Sequence, residues 1–130
     1  MNPVAQYLRD AQTFYLATTE NGIPHVRPFG AVVEWEGKTY LCTANNKDVY
    51  RQITANPQIA ISCMVEGTWL RLSGKLNLDP RREAKAAFLQ ALPDLQRLYS
   101  VDDGIFEVLY LSDVTAHVCS FTEAPKPLSL

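Results

Sequence analysis

Three Xaa-Gly pairs, Asn21-Gly22, Glu36-Gly37 and Glu66-Gly67, each stand between two runs rich in β-branched and aromatic residues. Such pairs accept the left-handed backbone of a two-residue hairpin turn, so each predicts a tight reversal between antiparallel strands. The flanking runs are TFYLATT, IPHVRPFGAVVEW, KTYLCT, QIAISCMV and TWLRLSGKLNL, and GIFEVLYL and DVTAHVCSF follow them, joined around Ser112-Asp113. Pro24, Pro28 and Gly30 deny the second run regular pairing on both sides, which predicts an edge strand or a bend there. In QIAISCMV, Ile59, Ile61, Cys63 and Val65 share one face. In the next run Leu70, Leu72, Leu76 and Leu78 oppose Trp69, Arg71, Ser73 and Lys75.

Helices interrupt the strands. Asn2-Pro3 is a cap followed by a first-turn proline, with Val4, Leu8 and Ala11 at helical spacing. NNKDVYRQITAN predicts a helix capped by Asn45 or Asn46 and stopped at Asn56-Pro57. Asp79-Pro80 opens another, with Ala84, Ala87, Phe88 and Ala91 as its stripe, ending near Leu92-Pro93 before a short turn through Leu98. The expected class is mainly β: a barrel of six to seven antiparallel strands in sequential hairpins, with helices across its ends.

At 130 residues and 47% hydrophobic content, the chain is expected to form one domain, with an irregular tail at 122–130. A net charge of −2 gives no basic surplus for a phosphate backbone, so nucleic acid is not an expected partner. The start, MNPVAQYLRD, lacks a basic region followed by an apolar core, and no apolar stretch has membrane-spanning length. A cytoplasmic, membrane-free protein is expected. Cys42, Cys63 and Cys119 lie apart in strand-like runs and read as reduced core residues. His25 and His117 form no ligand-like cluster, so no metal is expected. Motifs for nucleophilic hydrolysis, zinc proteolysis, Walker phosphate binding and dinucleotide binding are missing, so any catalysis is expected to come through a borrowed cofactor.

Three groups of residues could hold one. Thr43, Asn45, Asn46 and Lys47 lie where a strand gives way to a helix, and unpaired N–H groups with a lysine there can cradle a phosphate. An ordinary capped helix with a solvated lysine fits the same residues. Arg27, Pro28 and Phe29 place a guanidinium and an aromatic wall in the second run, suited to a phosphate or the pyrimidine end of a flavin, or simply to an exposed strand face. Trp69 and Arg71 share a strand face and can cover and charge-balance a ring system, whereas a tryptophan in a strand also serves as plain packing. Tyr50, Tyr99 and Phe121 read as core or dimer surface rather than ligand wall.

Taken in order, the ATTENGIPHVRPF hairpin, the TANNKDVYRQ junction and the GTWLRLSGK strand resemble the short pyridoxamine 5'-phosphate oxidase-like flavoproteins, over nearly the whole chain. The resemblance implies a split β-barrel and a homodimer with two FMN sites at its interface. By position, Arg27, Pro28 and Phe29 would meet the flavin ring and ribityl chain, Thr43, Asn45, Asn46 and Lys47 would hold the phosphate end, and Trp69 and Arg71 would reach across from the partner. Residues near Phe121 would close the cleft. The basic residues and histidine with which the true oxidase holds its vitamin substrate have no counterpart here. The implied activity is therefore FMN-dependent electron transfer, with NAD(P)H as a candidate donor, to a small molecule the sequence does not name. No catalytic residue is assigned. A deazaflavin, a haem or a flavin bound without turnover are the alternatives that the same superfamily implies.

Overall fold

The computed structural model describes residues 1–130. Its helices are α1 (Pro3–Ala11), α2 (Asp48–Ala55) and α3 (Arg82–Ala91), with a 3₁₀ turn at Pro93–Arg97. Its strands are β1 (Phe14–Glu20), β2 (Ile23–Phe29), β3 (Val33–Trp35), β4 (Lys38–Ala44), β5 (Gln58–Val65), β6 (Thr68–Asp79), β7 (Phe106–Cys119) and β8 (Lys126–Pro127). Every ladder is antiparallel, in the order β2-β1-β5-β6-β7-β4-β3, with β8 added to β7. The path has two free ends and does not close, which makes it a mainly β split barrel. No helix is long and apolar enough to cross a membrane.

All three hairpins form where the Xaa-Gly pairs stand. Asn21, Glu36 and Glu66 have φ of 53°, 50° and 47°, and the glycine after each is also left-handed. The second run both lies at an edge and bends: β2 stops at Phe29, and the chain turns through Gly30 to Val32 before β3 begins. Three expectations change. The C-terminal runs form one continuous strand, because the extra residue near Asp113 (φ 51°) is absorbed as a bulge opposite Ser73 and Lys75 instead of reversing the chain. The hairpins are also not all sequential, since β1 pairs with β5 and β4 with β7. The tail, expected to be irregular, supplies β8, and Leu128 N–H donates to the Ala116 carbonyl just beyond it.

The caps divide. Asn2 closes α1, its Oδ1 accepting from Ala5 N–H at 2.8 Å. Neither Asn45 nor Asn46 caps α2; Lys47 holds that position without a side-chain bond. Arg81, not Asp79, precedes α3. Asp79 instead accepts from the Tyr40 hydroxyl at 2.7 Å and from Arg81.

The core has two parts on opposite sides of the sheet. Inside the barrel, Leu16, Ile61, Leu70, Leu72 and Leu109 meet α1 and α2. Alternation sends Tyr40, Phe106 and Val108 to the outer face of β4 and β7, where α3 covers them with Ala84, Phe88 and Leu89. The outer face of β2-β1-β5-β6 has no such cover: Tyr15, Val26 and Met64 are 51%, 68% and 65% exposed. Leu78 shares the face of Leu76, as expected, but lies near the end of β6 and is exposed.

Candidate functional site

A cleft of about 260 Å³ opens between β2, the β4–α2 junction and the segment after α3. Arg27, Pro28, Phe29, Thr43 and Lys47 line it, so two of the three residue groups singled out in the sequence meet at one place. Leu95, Leu98 and Tyr99 form the opposite wall, and Cys42 lies between. A hollow of about 430 Å³ between α3 and the 3₁₀ turn is larger but lined by no charged group, whereas two cations, Arg27 and Lys47, border the cleft.

Arg27 owes its position to the β1–β2 register. It lies opposite Leu16, whose side chain faces the interior, so its guanidinium starts from the core side of an edge strand. A charge there requires partners. Nη1 donates to the Leu16 carbonyl at 3.1 Å, and Nη2 to Oε1 of Gln52 on α2 at 2.8 Å. Burial lowers the Arg27 pKa from its usual value, with Asp48 acting in the opposite direction. Thr43, at the end of β4, is buried and borders the cleft. Lys47 sits at the start of α2, where the dipole favours anions, and none of the ion pairs in the chain involves it. Burial pushes the Cys42 thiol up to about 12 despite nearby Lys47, so it is a wall and not a nucleophile.

The remaining candidates lie elsewhere. Asn45 donates from Nδ2 to the Gly104 carbonyl at 2.8 Å, tying the junction to the loop before β7, and Asn46 is exposed outside the cleft lining. Trp69 and Arg71 are on the bare outer face, in register with Met64 and Ser62 of β5. Arg71 borders a shallow apolar groove with Tyr15 and Val26, and Trp69 meets the 92% exposed Phe121 ring at 5.0 Å between centroids. Within one chain, neither joins Arg27.

Tyr99, read from the sequence as core or dimer surface, is part of the cleft wall. Gln52 was missed altogether. Its signal was a polar residue within the apolar stripe Val49–Gln52–Ile53 of α2, all three buried.

A donor set of two cations and a hydroxyl at a helix N-terminus suits the phosphate of a mononucleotide. Comparison with known proteins shows the family. The family model described as Pyridoxamine 5'-phosphate oxidase matches residues 3–100. None of the curated proteins matches the chain. The crystal structure of a NimC/NimA family protein from Clostridium acetobutylicum is 44% identical, covers 98% of this chain and 90% of its own, and superposes with a TM-score of 0.94. Two more distant structures share the fold. One is a heme binding protein from Mycobacterium smegmatis, at 20% identity, 96% and 57% coverage and TM-score 0.71. The other is a FAD-binding protein from Mesorhizobium loti, at 16% identity, 88% and 91% coverage and TM-score 0.59. A split barrel with this cleft, matched by that model over most of its length, belongs to the pyridoxamine 5'-phosphate oxidase family.

Proposed function

We propose that the protein is an FMN-dependent oxidoreductase working as a homodimer, with NAD(P)H as reductant, a small molecule as acceptor and the cytoplasm as its setting. The observation that carries this is the convergence of Arg27, Lys47 and Thr43 on one cleft, with neither cation engaged in an ion pair. FMN, when bound, supplies the hydride chemistry. The chain's own part is electrostatic and steric. Lys47, Thr43 and the start of α2 hold the phosphate. Arg27 offers its charge to the ribityl or ring end, and Phe29 and Tyr99 exclude water from the apolar walls.

Size and surface support the dimer. At about 260 Å³ the cleft is smaller than the roughly 300–1,000 Å³ usual for ligand sites, so one chain leaves a flavin ring largely uncovered. The bare face carries the missing material, Trp69 and Arg71, with Phe121 beside them, and its exposed Tyr15, Val26 and Met64 suit association with a second copy. Light scattering should give twice the mass of one chain.

The visible spectrum tests the cofactor. Yellow protein, or tight FMN binding in calorimetry, is expected; colourless protein that ignores added FMN ends the proposal. Stopped-flow mixing with NADH and NADPH tests turnover. The heme binding relative favours one second reading, a cofactor carrier without turnover. Bound flavin that neither donor reduces, or a Soret band, would support that carrier instead.

A further inference from the structure

We infer that Gln52 is a positioning residue for the ligand cleft, its neutral carbonyl fixing the Arg27 guanidinium while leaving the positive charge free for the ligand. The inference rests on the proposal that the cleft receives FMN. Four arginines make side-chain hydrogen bonds, and their partners separate them. Arg51 donates to Glu20 and Asp48, Arg81 to Asp79 and Glu36, and Arg82 to Asp102. Arg27 alone is held by uncharged acceptors, Leu16 O and Gln52 Oε1. A carboxylate in place of that amide would hold the guanidinium equally well and cancel its charge.

Gln52 is itself fixed. It is 3% exposed, and its Oε1 also accepts from the hydroxyl of Thr18, which is 1% exposed. A buried amide whose oxygen accepts from a hydroxyl and a guanidinium at once has little rotational freedom, so the geometry of Arg27 is set before any ligand arrives. Such preorganisation matters most at a strand edge, where a long side chain otherwise loses conformational entropy on binding.

The test is a double-mutant cycle read by FMN titration, using quenching of flavin fluorescence, with the thermal midpoint recorded alongside. In the full-length protein, Gln52→Leu is expected to weaken FMN about tenfold. Gln52→Glu should weaken it at least as much while keeping or raising the thermal midpoint, because the ion pair it forms with Arg27 preserves the fold and removes the free charge. In the Arg27→Ala background either change should alter affinity by less than about twofold. Equal losses with and without Arg27, or a Gln52→Glu protein that binds FMN as tightly as the parent, would overturn the role of Gln52 and leave the cofactor proposal standing. Parent protein that shows no FMN binding overturns that proposal and this inference with it. Should Gln52→Leu fail to fold, the Gln52→Glu arm decides alone.

Discussion

The outer face of β3-β4-β7 and the outer face of β2-β1-β5-β6 belong to one sheet and are treated in opposite ways. On the first, Tyr40, Phe106 and Val108 lie beneath α3, whose Phe88 ring meets that of Phe106 at 6.0 Å between centroids. On the second, Tyr15, Val26 and Met64 meet no other element of the chain's core. The first face shows how much apolar surface this sheet buries when a helix is available, and the second shows what one chain leaves open without such a helix. The cleft lies on the seam between the two halves, with Arg27 and Phe29 from the inner face of β2 and Leu95 and Tyr99 from the segment after α3.

Substitutions can break that contrast. Phe88→Ala empties a site that is 1% exposed and should cost about 3–5 kcal/mol in urea unfolding. Val26→Glu should leave the unfolding of the isolated chain nearly unchanged, yet shift light scattering to the mass of one chain and abolish FMN binding. A monomer that still binds flavin would separate the bare face from the site. At the seam, Arg27→Ala and Lys47→Ala should each weaken FMN by about 1.5–3 kcal/mol in calorimetry. Unchanged affinity in both would remove the cradle.

At the rim of the covered face, hydrogen bonds from Arg81 and Tyr40 hold the Asp79 carboxyl at about 2 against an ordinary 3.8. The folded value is the lower one, so the stabilisation is present above about pH 4 and is lost as pH falls toward 2. Because Arg81 remains open to water, the loss should be about 1–2 kcal/mol. Urea midpoints at the two ends of that window measure it, and Asp79→Asn should flatten the difference.

What the sequence disclosed and what it hid follow from the range of the interactions. The three hairpins were legible because an Xaa-Gly pair dictates its own backbone, and the Asn2 cap because its acceptor and donor lie three residues apart. Asn45 and Asp79 carried the same local signature and were read as caps. Their partners, Gly104 and Tyr40, lie 59 and 39 residues away and become available only in the folded chain. Ser112-Asp113 resembled a turn for the same reason, since the bulge depends on β6 across the ladder. The cations of the cleft were visible as residue types, and their convergence came through the family likeness. The wall from Leu95 to Tyr99 and the bond from Gln52 to Arg27 are tertiary facts with little local trace.

One turn offers room for improvement. Glu66 bends into the left-handed region at φ 47°, where a long side chain is costlier than asparagine, and its carboxylate takes part in no ion pair. Glu36 adopts the same shape but is bound to Arg81. Exchanging Glu66 for asparagine should therefore raise the melting temperature by the equivalent of roughly 0.5–1 kcal/mol. That would give a hardier starting scaffold for variant libraries, without disturbing any contact that the cleft depends on.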